Sequence, residues 1–172
     1  MTADQRFRSF WDEGEMVPYP RDQWISNGMP TGSLPPGDEV PTDVAVVYTA
    51  DMSGQIRLFD TIQLSTENGK LDARLIALGV VATDPDLMYA MDPNTGDVIL
   101  FDMVDYDIQG VNTNYRLFVE FLYRFAQFVE VDQGKPGRTE KGAELREALR
   151  SIDPNAFDED AWWPMVFNQL MS

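Results

Sequence analysis

Seven aspartates lie between Ala82 and Gly110 with no basic residue among them: Asp84, Asp86, Asp92, Asp97, Asp102, Asp105 and Asp107. Carboxylates at this density invite a hard-cation reading, in which several oxygens hold Mg²⁺ for phosphoryl chemistry. Their spacing argues against it, because they fall in turns and at strand ends and no interval aims two at one point. The stretch Asp92-Pro93-Asn94-Thr95-Gly96-Asp97 opens like a calcium loop. An EF-hand, however, needs Gly at its sixth position and Glu at its twelfth. Here Gly96 stands fifth and Met103 twelfth. No metal and no cofactor is expected. A solvated acidic rim and a protein-binding surface remain as readings of the run.

Other chemistry is thinner still. The chain contains no histidine and no cysteine, which removes the commonest general base, thiolate nucleophiles, disulfides and Cys-based zinc sites. The segment Gly28-Met29-Pro30-Thr31-Gly32 lacks the Lys and the following helix of a phosphate-binding loop, and no nucleophile elbow is present. Trp162 and Trp163 sit about 100° apart on a helix, so one is expected to pack inward and the other to be part-exposed.

The elements that must position these residues follow from local pattern. Residues 88–91 and 98–101 are apolar runs, expected as adjacent antiparallel strands. The turn between them uses Pro93 to preset φ and Gly96 to take the left-handed conformation. A polar link, residues 102–110, leads to Asn112 and Asn114, either of which could cap a helix. That helix, Tyr115–Val131, is expected to be the longest. Leu117, Phe118, Phe121, Leu122, Phe125, Phe128 and Val129 form its buried face, and Arg116, Glu120 and Arg124 recur at intervals of four on the opposite one.

Upstream, Phe7, Phe10 and Trp11 mark a short helix starting near Thr2 or Asp4. A Pro/Gly-rich arm at about 14–42 leaves room for one helical turn around residues 23–26, with Trp24 and Met29 as anchors. Residues 44–48, 55–59 and 74–82 read as strands, with Ala and Leu leaving helix open for the first half of the last, and Asn68-Gly69 reads as a hairpin turn. Residues 132–142 read as a mobile loop. Thr139 is expected to cap a helix ended by Asp153-Pro154, and a last helix over about 157–170 carries Pro164 as a kink, placing the C-terminal helices at about 139–171. Strands before residue 103 and long helices after it give an α+β fold: one domain over residues 1–172, a mixed or mostly antiparallel β-sheet packed against helices.

Composition bounds the partners. A chain of 172 residues buries roughly 70% of its extended surface. No apolar run approaches the ~20 residues that span a bilayer, and the N-terminus lacks the apolar core of a secretory signal. A cytoplasmic location is the expectation. The net charge is −16, from 29 acidic and 13 basic residues, so neither nucleic acid nor an anionic membrane surface is expected as a direct partner. A basic protein would be attracted.

The order of these elements resembles the SUKH superfamily, most closely its subgroup four of bacterial immunity proteins. Trp24-Ile25-Ser26-Asn27-Gly28-Met29-Pro30 is similar to the family's early Gly-apolar-Pro step. Asp92 to Val98 looks like its D-P-x-T-G-x-V hairpin. Val111-Asn112-Thr113-Asn114 followed by Leu117, Phe118, Phe121 and Leu122 is similar to its approach to the main helix. Ile152-Asp153-Pro154-Asn155-Ala156 with Trp162-Trp163 looks like its closing segment. The chain departs from the pattern at Asn114, where a Ser is usual, and in its Pro-rich arm. The resemblance implies a non-enzymatic protein that binds and neutralises a cognate toxin domain, often a nuclease or deaminase. A scaffold or regulatory module of the same fold and a carboxylate-metal hydrolase are the rival readings. Within the toxin reading, Asp102, Asp105 and Asp107 with Tyr106 between them, together with Asp84 and Asp86, are the expected partner-facing residues. A loop of short acids around one aromatic combines steering with an apolar anchor.

Overall fold

The computed structural model describes residues 3–52, 54–65, 72–134 and 137–172. Among these the elements run α1 (Ala3–Phe10), β1 (Met16–Pro18), α2 (Arg21–Ser26), β2 (Glu39–Pro41), β3 (Asp43–Val44), β4 (Tyr48–Thr49) and β5 (Thr61–Ser65). They continue with β6 (Asp72–Val81), β7 (Asp84–Met91), β8 (Val98–Asp102), β9 (Ile108–Asn112), α3 (Tyr115–Val131), α4 (Gly137–Ile152) and α5 (Trp162–Leu170). The fold is α+β, and every strand pair in it is antiparallel. The main sheet has the order β3-β4-β6-β7-β8-β9, with β5 also paired to β6.

The central hairpin forms as its turn chemistry requires. Met91 pairs with Val98 and Met88 with Phe101. Gly96 has φ of +85° and donates its N–H to the Asp92 carbonyl at 2.7 Å, while Asp92 Oδ1 accepts the Asn94 N–H at 2.8 Å. Helix α3 then begins at Asn114, whose Oδ1 accepts the Leu117 N–H at 2.8 Å, satisfying one orphan donor of the first turn. Asn112 is no cap. It is buried at the end of β9, because its amide is needed in a side-chain network described below.

Helix α3 is buried well beyond one stripe, since two layers grip it. One face packs on the sheet, with the Phe118 ring 4.9 Å from Tyr89. On another side, α1 and the arm supply aromatic partners: Phe7, Phe10 and Trp11 surround Tyr123 at 5.0–5.6 Å, and Tyr19 and Trp24 meet Tyr115 at 5.8 and 5.9 Å. Each such ring contributes about 1.5–3 kcal/mol by burial. Trp24 and Met29 are both buried, so the arm is ordered by its anchors. Val129, expected inside, is exposed, because the last turn of α3 extends past the packing. The other face of the sheet carries a small second core of Leu75, Ala77, Val80, Met88, Ala90 and Phe101, covered by Met52, Ile56, Ile62 and Leu64.

Several expectations are corrected. Residues 44–48 are not one strand: Ala45 takes φ of +40°, and the chain folds back as β3 pairing with β4. Residues 55–59 form no strand, because Phe59 is left-handed at φ +67°; its N–H donates to the Ala77 carbonyl at 2.7 Å and the Ala77 N–H donates to the Asp60 carbonyl at 2.9 Å before β5 takes up the ladder at Thr61. The polar link 102–110 contains most of β9, whose register comes from β8 and not from its own apolar pattern. Gly137 already starts α4, so Thr139 lies within the helix, and residues 137–142 are helical and not loop. Pro164 occupies the first turn of α5, where its missing N–H has no partner to lose, and marks no kink. Thr2, Ser53, Asn68 and Gly69 lie outside the described residues. The strands flanking Asn68-Gly69 pair antiparallel at Ser65 and Asp72.

Candidate functional site

The antiparallel register divides the seven aspartates between two ends of the sheet. Asp92 and Asp97 lie past the Met91–Val98 pair, in the hairpin turn. Asp84, Asp86, Asp102, Asp105 and Asp107 lie at the other end, near the Leu87–Asp102 pair. The Met103 N–H donates to the Asp86 carbonyl at 2.9 Å and holds the β8–β9 turn beside the start of β7. Topology therefore gathers the five aspartates singled out from the sequence and leaves Asp92 and Asp97 at the opposite end of the sheet.

Within the β8–β9 turn, Asp102 organises the backbone. Its carboxylate accepts the N–H groups of Val104 at 2.9 Å and Asp105 at 3.2 Å, and its carbonyl accepts the Tyr106 N–H at 2.8 Å. Tyr106 has φ of +62°, a conformation that costs a non-glycine residue about 1–2 kcal/mol. Its side chain is 61% exposed and that of Val104 64%. Two large apolar side chains thus stand out between half-buried Asp102 and exposed Asp105 and Asp107. Rigid exposed aromatics of this kind serve as anchors in protein interfaces.

Beside the turn lies an open groove of about 550 Å³ whose walls include Asp102, Asp107 and Ile108 on the sheet side and Asp160 and Met165 on the α5 side. Gln109 spans it, donating from Nε2 to the Asp160 carbonyl at 3.2 Å and to Met165 Sδ at 3.0 Å. Ile108 and Met165 are both exposed. Sequence reasoning missed Ile108, Gln109, Asp160 and Met165. The available signal was Asp158-Glu159-Asp160, an acidic triplet directly before the Trp pair.

Two indoles fix α5 against the sheet. Trp163 is fully buried, while Trp162 is half-buried and donates its N–H to the Tyr89 hydroxyl at 3.0 Å. Tyr89 in turn donates to the Val47 carbonyl at 2.6 Å. Burial raises the Tyr89 hydroxyl pKa far above the ordinary tyrosine value, opposed in part by the Trp162 bond. The hydroxyl is a structural relay. Among the described residues no group of three potential ligands is placed to hold a metal ion.

Residues 24–169 match the profile of the SUKH-4 immunity protein family. The chain belongs to this family. No curated protein and no solved structure matches it significantly. Membership gives this SUKH-4 chain an immunity role directed at a toxin and implies a non-enzymatic one. The matched span contains the acidic turn, the groove and all but the last residue of α5; α1 and β1 lie before it. Among the described residues no helix is long and apolar enough to cross a membrane.

Proposed function

We propose that this SUKH-4 protein neutralises a basic, nucleic-acid-processing toxin domain, a nuclease or deaminase, by seating the β8–β9 turn and its groove against the toxin's positive cleft. The reading rests on one juxtaposition: Asp102, Asp107 and Asp160 border the same groove as Ile108 and Met165, and the β8–β9 turn that supplies Asp102 and Asp107 also carries exposed Tyr106 and Val104. Acids alone would serve solubility. Acids interleaved with exposed apolar anchors match what a basic protein surface requires, with charge raising the association rate and the apolar groups lowering dissociation. The net charge of −16 disfavours nucleic acid and anionic membrane as direct partners. Inhibition proceeds by occlusion, needs no cofactor, and takes place in the cytoplasm, where a nucleic-acid-processing toxin meets its substrate.

A photo-crosslinking residue at position 106 tests the proposal in the native cell. The expected capture is a basic domain whose toxicity co-expression of this chain suppresses. Equal capture of that domain from exposed Val131, on the end of α3, would contradict the assignment of the surface.

A further inference from the structure

The stripe Arg116, Glu120 and Arg124 on α3 is not used by the acidic surface. It lines a separate groove of about 330 Å³, closed by Arg6 from α1, Arg21 from α2 and the arm. Four arginines and a single carboxylate therefore share one cavity, in a chain where acids outnumber bases by 29 to 13. The local charge is reversed relative to the whole.

Part of this clustering has a structural use. Arg21 donates to the Tyr19 hydroxyl at 2.8 Å and to the Pro35 carbonyl, and Arg116 Nε donates to the Gly32 carbonyl at 2.8 Å, so both hold the arm. Carbonyls satisfy hydrogen bonds but leave the charge uncancelled. Arg6 and Arg124 converge on the same Glu120, at 3.7 and 3.1 Å. One carboxylate thus faces four guanidiniums. Each guanidinium carries five donors in a planar fork that matches oxyanions bidentately, and the contacts just named use a minority of them. At physiological ionic strength the Debye length is about 8 Å, so distant acids are screened from the groove, while Asp22 and Asp38, which act on the Tyr19 hydroxyl that Arg21 contacts, offset part of the charge at its Arg21 end. Leu34, Pro36 and Ile152 add an apolar wall, and the volume lies within the range of small-molecule sites.

We propose that this groove between α1, the arm and α3 is a binding site for a small ligand carrying paired phosphates. It lies apart from the acidic turn and its operation does not depend on the toxin.

Isothermal titration of the whole chain with pyrophosphate and with ADP, at low and at physiological salt, tests this. Saturable binding that weakens with salt is expected. Arg124→Gln should weaken it by about ten-fold, the loss of a charge-assisted contact. This variant spares the two arm clasps, so it should fold as the parent does. Glu120→Gln, which makes the groove more positive, should not weaken binding, and Arg57→Gln, which does not line the groove, should leave it unchanged. Tighter binding of ADP than of pyrophosphate assigns a nucleoside-bearing ligand; equal binding assigns the phosphates alone. No binding at millimolar ligand, or binding that Arg124→Gln and Arg116→Gln both leave intact, would overturn the proposal. So would equal weakening by Glu120→Gln and Arg124→Gln.

Discussion

Trp163 donates its indole N–H to the side-chain oxygen of Asn112 at 3.0 Å, joining α5 to the end of β9 in the interior. The Asn112 amide then donates to buried Asp153 at 3.0 Å, and Asp153 also accepts the Thr113 N–H at 2.8 Å and the Thr113 hydroxyl at 2.7 Å. A carboxylate taken from water is stabilised only by a full set of donors. Here three donors converge on it, and the chain of bonds sets where α5 leaves the sheet. That in turn places Asp160 and Met165 along the groove.

Replacing Asp153 with Ala should lower stability by about 2–4 kcal/mol, because Asn112 and Thr113 keep donors without partners. Urea unfolding measures this. A loss below about 0.5 kcal/mol, the range of ordinary surface changes, would mean that the network does not hold α5.

Gly79 in β6 has φ of +140°, and a Cβ there would lie 2.5 Å from Tyr48 Cε2 and 2.7 Å from the Thr49 carbonyl oxygen. Tyr48 cannot yield easily, since its ring is buried and its hydroxyl donates to the Leu78 carbonyl at 2.7 Å. Gly79→Ala should therefore cost about 3 kcal/mol or more, combining strain with overpacking. Thermal unfolding of the variant checks it, and a melting temperature equal to the parent's would refute the close approach.

These dependences bear on how much of the molecule is legible in the sequence. The Asp92–Gly96 turn and the Asn114 cap are legible because their determinants lie within four residues of each other. Strand β9 is not, since Gln109, Gly110 and Asn112 carry no strand pattern and are paired only because β8 lies alongside. Residues 55–59 show the alternation of a strand yet serve as an irregular cover, with Ile56 packed on the outer core. The site divides in the same way. Asp102 to Asp107 is contiguous and visible, whereas Asp160 and Met165 reach the groove through the Trp163–Asn112 bond, a contact across 51 positions.

Burial raises the pKa of the Tyr48, Tyr89 and Tyr115 hydroxyls well above the ordinary tyrosine value. Below about pH 10 the folded and unfolded chains both keep these protons, so stability does not change on their account. Above it the unfolded chain ionises first, and stability falls as pH rises. Absorbance at the tyrosinate band should show these three titrating together with loss of the fold. Their reversible ionisation in a chain that stays folded would contradict the burial.

The central claim concerns the acidic turn, and stopped-flow association with the toxin domain tests it most directly. Asn at 102, 105 and 107 keeps the oxygen that caps the turn while removing three charges. The account predicts association slower by about ten-fold at low salt and a flattened salt dependence, with the fold retained. Gln at Glu140, Glu144 and Glu147, all exposed on α4, removes the same charge elsewhere and should change the rate little. Equal slowing by both triplets would show that only net charge matters and would contradict a localised interface.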